Sequence, residues 1–241
     1  MNESLTSSIR DRYQRTLAQI ADAAAGVGRA PTAVRLVVVS KSQPLETIRA
    51  ALAAGITCFG ENYAEEAVEK IAALRETAVE WHMIGHVQSR KADMMAAHFT
   101  MLHSLDGLKL AGRLDRFCAA LDRRLPVLLE CNVSGEESKF GFPAWEEPRW
   151  PDMLPEIEQI LALPHLDVRG LMTMPPFFDD PERTRPYFQR LRRLQEFLAR
   201  QVPQAHWQEL SMGTSMDFVA AVQEGATFVR VGQAILGPRV K

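Results

Sequence analysis

A single (β/α)8 barrel of the α/β class, preceded by one extra helix, is the fold that the sequence predicts. Three observations carry it. Short apolar runs rich in β-branched residues alternate with helical stretches, these runs number eight, and 241 residues is a barrel-sized length. Near-continuous apolar strands separated by helices belong to parallel sheet whose faces those helices cover. A doubly wound open sheet shares the alternation, but the first run here is not followed by a glycine-rich GxGxxG turn.

The elements follow in order. Leu5, Ile9, Tyr13, Leu17 and Ile20 recur every three or four residues, so residues 1–27 are expected to hold a helix that "AGVGRAP" ends. The eight runs are 35–41, 57–62, 80–86, 100–106, 126–134, 167–175, 206–213 and 228–237. Between the first two, Leu45, Ile48 and Leu52 share a helix face and Gly55 can supply a left-handed stop. After the second, Asn62 is placed to cap a helix with Glu65 three positions on. "GFPAWEEPRWPDMLPE" reads as a surface connection before the helix "IEQILAL". "MPPFFDDPERTRPY", after the sixth run, would lie as a lid on the face where barrel sites occur. No further repeat or composition shift divides the chain, and residues 1–241 are expected to form one domain.

Composition narrows the class of function. Twenty-eight basic and 30 acidic residues are interspersed to a net charge of −2, which leaves no electrostatic footprint for nucleic acid or an anionic membrane. The charged N-terminus lacks the apolar core of a signal peptide, and no run approaches the roughly 20 apolar residues that span a bilayer. Cys58, Cys118 and Cys131 are odd in number and widely spaced, against a disulfide framework or structural zinc and in favour of a reducing cytoplasm. His82 and His86 share one side of a strand but stand roughly 13 Å apart at about 3.3 Å per residue, too far for one ion. No metal site is expected, and small molecules are the expected partners.

In a barrel, polar residues that end apolar runs converge on one face. Lys41 ends the first run. An amine at a barrel mouth loses hydration, which favours its neutral form and lets it attack a carbonyl. "LSMGTSMDF" ends the seventh run in small hydroxylic residues and a glycine, so the N–H groups of the following helix, with Ser211, Thr214 and Ser215 nearby, can cradle a phosphate. An ordinary helix cap would look the same. Arg230 and Gly232 end the eighth run, and barrel phosphate sites frequently sit after strands seven and eight. An imine-forming lysine with a phosphate site points to pyridoxal phosphate.

"VVVSKSQP", "FGENYAEEAVEKI", "WHMIGHVQSRK", "NVSGEESKFGF", "RGLMTM", "LSMGTSMDF" and "VRVGQAILG" together resemble the successive motifs of the pyridoxal phosphate homeostasis protein family, relatives of the alanine racemase N-terminal barrel. The resemblance implies that Lys41 forms the Schiff base. It also implies that Arg230 faces the pyridine nitrogen, that Gly232 and Gln233 offer backbone N–H groups to the phosphate with Ser211, Gly213 and Thr214, and that Asn62 sits beside the ring. The chain departs from the family pattern at Arg90 and Thr214. A guanidinium can only donate to the ring nitrogen, which leaves a weak electron sink. Tyr13, Tyr63 and Tyr187 all lie in predicted helices or their starts, where none could serve as the second acid/base of a racemase.

The expected function is therefore cytoplasmic holding or delivery of pyridoxal phosphate by a monomer, with PLP-requiring apoenzymes as recipients. A weak PLP-dependent amino-acid racemase is the alternative, and an aldolase using Lys41 directly is a third reading. Glu136, Glu137 and Lys139 read as a solvated loop, while Cys131 and Asn132 could approach the ring.

Overall fold

The computed structural model describes residues 3–74 and 77–238. Eight parallel strands close into a barrel, each hydrogen-bonded to the next and the last to the first. In chain order the strands are β1 (Arg35–Val39), β2 (Cys58–Glu61), β3 (Glu80–Met83), β4 (Met101–Leu105), β5 (Leu125–Asn132), β6 (Phe142–Pro143), β7 (Leu166–Met172), β8 (Glu209–Ser211) and β9 (Phe228–Val231). The two-residue β6 pairs only with the end of β5 and stands outside the ring. The helices are α1 (Glu3–Ala25), α2 (Leu45–Ala53), α3 (Ala64–Ala73), α4 (Ala92–His98), α5 (Leu108–Ala120), α6 (Leu154–Leu161), α7 (Arg185–Gln201), α8 (Phe218–Gln223) and α9 (Gln233–Leu236). Among the described residues no helix is long and apolar enough to cross a membrane.

Two apolar clusters share the strands between them. The larger lies between barrel and helices, where Leu110, Ala111, Leu114 and Cys118 of α5 and Phe188, Leu191, Leu194 and Leu198 of α7 are buried. The smaller fills the barrel interior with Val37, Met101, Leu128, Met172 and Phe228. On β1, Val38 belongs to the outer cluster and Val37 to the inner one, as the two-residue period of a strand requires. That parity carries upward: residues 37, 39 and 41 share the inward side, as do 128 and 130 on β5, and 228 and 230 on β9.

Local chemistry explains the element ends. α2 stops where the sequence placed its stop: Gly55 adopts φ +96°, its N–H bonds Leu52 O, and Ile56 N–H bonds Ala51 O, the paired bonds of a left-handed helix termination. The extra helix α1 buries Ile9 and Ile20 and packs against α2, α8 and α9, and Arg29 ties its exit to the carbonyls of Val222 and Ala226. The run 228–237 is not one strand. It leaves the barrel at Gly232 and turns into α9, whose buried Ile235 and Leu236 pack beside α1, because an apolar run this short carries no periodicity that separates strand from helix. The connection 141–156 contains β6 and a 3-10 helix over Glu147–Met153, pinned by buried Trp150, whose indole N–H donates to Ala144 O.

Candidate functional site

The C-terminal ends of the strands surround a cavity of about 400 Å³, within the range of small-molecule sites. Lys41 enters it from the end of β1, half-buried, on the inward parity that Val37 and Val39 establish. Asn62 enters from the end of β2. The structure does not use it as a helix cap: α3 starts at Ala64 behind Tyr63 with no side-chain cap bond, because residue 62 shares the inward parity of 58 and 60 and its amide turns into the cavity. Its Oδ1 is buried and has no hydrogen-bond partner among the described residues. Such an atom requires a polar occupant.

Arg230 forms the floor. The guanidinium is buried and donates from Nη1 to Ser211 Oγ at 2.6 Å and from Nη2 to Thr173 O at 2.9 Å. Burial lowers its pKa to about 10, opposed by the charges of Asp217 and Glu130, so it stays cationic at neutral pH. Ser211 lies below the cavity rather than on its wall, where its hydroxyl joins Arg230 to His103 Nδ1 at 2.8 Å, and His103 Nε2 in turn meets His82 Nδ1 at 3.0 Å. Burial pushes both imidazoles below their usual pKa, His103 furthest, so this chain through the barrel interior is neutral.

Beside Lys41, the neighbouring strand β9 and then β8 bring backbone N–H groups and hydroxyls to the cavity. Gly232 and Gln233 line the cavity at the start of α9, and Ser215 Oγ lies 3.4 Å from the Gly232 nitrogen. Gly213 adopts φ +92°, and a β-carbon there would stand 2.5 Å from Ala221 Cβ, so only glycine lets β8 turn into α8 this closely. Its carbonyl accepts from Arg230 N–H. Thr214 lines the cavity, but its N–H and hydroxyl are both directed to Asp217 Oδ1, at 2.6 and 3.0 Å. The cavity thus gathers Lys41, Asn62, Thr214, Arg230, Gly232 and Gln233, while Ser211 and Gly213 support it from below and behind.

Three further groups line the cavity: Glu130, which the sequence reading passed over, and His86 and Lys139, which it did not assign to the site. Glu130 shares the inward parity of β5, Oε2 is buried without a partner among the described residues, and burial with the nearby Asp106 charge raises its carboxyl to about 7. His86 stacks on Phe140 with ring centroids 3.7 Å apart and pairs with Asp106 at 3.2 Å, walling one side. Lys139 also lines the cavity rather than standing in a solvated loop, its ammonium 3.4 Å from Pro175 O. Cys131, by contrast, is buried in the outer core, and Asn132 folds its amide onto the following turn. Arg90 bonds Gln88 on an exposed 3-10 turn.

Glu130 makes stability depend on pH. A carboxyl whose folded pKa is raised from 4.5 to about 7 contributes its full stability below 4.5 and loses it as pH rises through 7. Glu130→Gln should therefore match the ligand-free wild type near pH 4 and exceed it at pH 8, by at most about 3 kcal/mol at ~1.4 kcal/mol per pH unit. Urea unfolding at the two pH values measures this, and equal gaps at both would show that Glu130 is not the titrating group.

A parallel barrel whose mouth carries an inward lysine on β1 and an arginine and glycine on the last strand defines the class of the alanine racemase N-terminal domain, and the model of that family matches residues 13–240. A relative from Aquifex aeolicus named pyridoxal phosphate homeostasis protein is 38% identical over 230 residues, 95% of this chain and 97% of its own. One of the same name from Pasteurella multocida is 42% identical over 213 residues, 88% of this chain and 89% of its own. The structure of PipY of Synechococcus elongatus PCC7942 with PLP bound superposes with a TM-score of 0.78 at 36% identity, covering 90% of this chain and 100% of that one. This chain belongs to the pyridoxal phosphate homeostasis protein family.

Proposed function

We propose that the protein holds pyridoxal 5′-phosphate at the barrel mouth through Lys41 and acts in intracellular PLP homeostasis. The carrying observation is the cavity itself: an inward lysine at the end of β1, backbone donors just past the end of the neighbouring β9 and a buried arginine on that same strand. The family name and the PLP-bound PipY structure support the same reading. The residues fit the cofactor in size and polarity, since Asn62 Oδ1 and Glu130 Oε2 both await a polar occupant. When bound, the cofactor supplies an aldehyde carbon that an amine captures covalently.

This chain's residues then divide the work. Lys41 would supply the amine that condenses with the aldehyde, with loss of one water. Gly232 and Gln233 would hold the phosphate on backbone N–H groups, with the Ser215 hydroxyl close by. Arg230 would face the ring nitrogen as a donor only, leaving that nitrogen unprotonated and the ring a weak electron sink, and its bonds to Ser211 and Thr173 fix its direction. A site so arranged retains the cofactor with little drive toward carbanion chemistry. Residues 1–241 act as one PLP-binding unit, a monomer in the cytoplasm whose open mouth serves PLP-requiring apoenzymes, and unpaired Cys58, Cys118 and Cys131 suit that reducing compartment.

The test is chemical. Protein incubated with PLP, reduced with borohydride and digested should carry a pyridoxyl group on the peptide containing Lys41 at about one per chain. A label on another lysine, or none, would overturn the reading.

A further inference from the structure

At the opposite end of the barrel, the first residues of neighbouring strands bring together three donor atoms of different kinds. Cys58 of β2 and Glu80 of β3 are direct cross-strand partners, and His82 lies two residues further along β3 on the face that Glu80 shares. Cys58 Sγ lies 3.8 Å from His82 Nε2, Glu80 Oε2 lies 3.5 Å from the same nitrogen, and one donor atom from each residue lies within 4.8 Å of the others. Ligands about 2.3 Å (thiolate) and 2.0–2.2 Å (imidazole or carboxylate) from a tetrahedral zinc ion stand about 3.3–3.6 Å apart. Two of the protein's three spacings match those edges to within a few tenths of an ångström, and the third lies within 4.8 Å.

We propose that Cys58, Glu80 and His82 form a three-ligand site for a divalent transition-metal ion of the zinc type at the N-terminal rim of the barrel. A thiolate, an imidazole and a carboxylate together suit zinc rather than calcium or magnesium. The ligand histidine is held in place from behind: His103 Nε2 meets His82 Nδ1 at 3.0 Å, which leaves Nε2 as the ring nitrogen facing Glu80, the support that metal-binding imidazoles ordinarily receive, while Cys58 Sγ, 3.8 Å from Nε2 and 4.0 Å from Nδ1, reaches the ion by a turn of its side chain. Glu80 is exposed and Cys58 only partly buried, so an ion has an entry path and water can take the fourth position. Binding releases the thiol proton of Cys58 to solvent and leaves the ion's charge balanced by thiolate and carboxylate. The competing cation is Arg35, whose Nη2 bonds Glu80 Oε2 at 2.5 Å while its guanidinium lies over Phe228. Arg35 is half-exposed and can swing into solvent when the ion enters.

Cysteine spacing along the chain hides this site because strand register, not sequence proximity, assembles it. Chelator-stripped full-length protein should take up one Zn²⁺ per chain in competition with a chromophoric zinc indicator. Glu80→Gln, at an exposed position where folding is safe, and Cys58→Ser should each weaken binding by about tenfold or more. Arg35→Gln should tighten it by removing the competing charge. With Co²⁺ as probe, wild type should show a thiolate-to-cobalt absorption band that Cys58→Ser lacks. An Arg35–Glu80 pair that merely plugs the barrel predicts no stoichiometric Zn²⁺ and no effect of Glu80→Gln. Either of those results overturns the proposal, and none of these measurements depends on PLP.

Discussion

Replacing Lys70 by methionine is expected to lower stability by about 3–5 kcal/mol, the cost of leaving a buried charge without its partner. Lys70, on α3, is 7% exposed and Glu61, at the end of β2, is 0% exposed. The ammonium donates to Glu61 Oε1 at 2.7 Å, to Glu66 Oε1 at 2.6 Å and to Ser40 O at 2.8 Å, and Ser40 Oγ also donates to Glu61. Glu66 in turn accepts from Ser42 N–H at 2.6 Å, where Ser42 holds the left-handed φ of 56°. The cluster therefore grips the chain on both sides of Lys41. Burial already raises the pKa of Glu61 against the pull of Lys70. Without the lysine that pKa rises further, so the deficit should be small near pH 4, where the carboxyl takes up a proton, and grow as pH increases. Urea unfolding across that range measures it, and Glu61→Gln together with Lys70→Met should recover much of the loss. A deficit below about 1 kcal/mol at pH 8 would show that the pair is not the clamp described.

Lys70 also shows where sequence reasoning reaches its limit. In "EAVEKIAAL" a lysine among glutamates on a helix reads as solvated, and only the packing of α3 against the end of β2 buries it. What could be read was whatever local pattern encodes: eight apolar runs, the helix stop at Gly55, and the polar residues that end strands. Lys41 and Arg230 stood out because a charged residue closing an apolar run is conspicuous at the mouth of a barrel, and both line the cavity. Parity along each strand was equally available and would have exposed Glu130, since residues 128 and 130 share a side once Leu128 is known to face inward. The chain from His82 through His103 to Ser211 was out of reach. Its members lie 21 and 108 residues apart, and only closure of the barrel makes them neighbours. The end of β9 failed differently, because "FVRVGQAILG" is apolar enough for either a strand or a short helix and Gly232 alone marks the change.

Lys41→Ala should abolish covalent capture of PLP outright while leaving the barrel folded. The side chain is half-buried at the cavity and removing it opens no core void, so the stability change should stay within about 1 kcal/mol. The end of β9 keeps its own groups, and Gly232, Gln233 and Arg230 should still retain the cofactor non-covalently, at least about tenfold more weakly, a loss of ~1.4 kcal/mol or more. Borohydride reduction followed by peptide mapping reads the covalent part, and equilibrium dialysis with PLP reads the remainder. Lys139 supplies the internal control, because it is a second lysine on the same cavity wall with its ammonium near Pro175 O. If proximity to the aldehyde were all that capture required, the label would pass to Lys139 in the variant. The proposed assignment expects otherwise, because the Ser40–Glu61–Lys70 grip fixes the backbone beside Lys41, whereas Lys139 is carried on a loop after β5. A pyridoxyl group that persists at full stoichiometry on Lys139 would remove the structural reason for assigning Lys41.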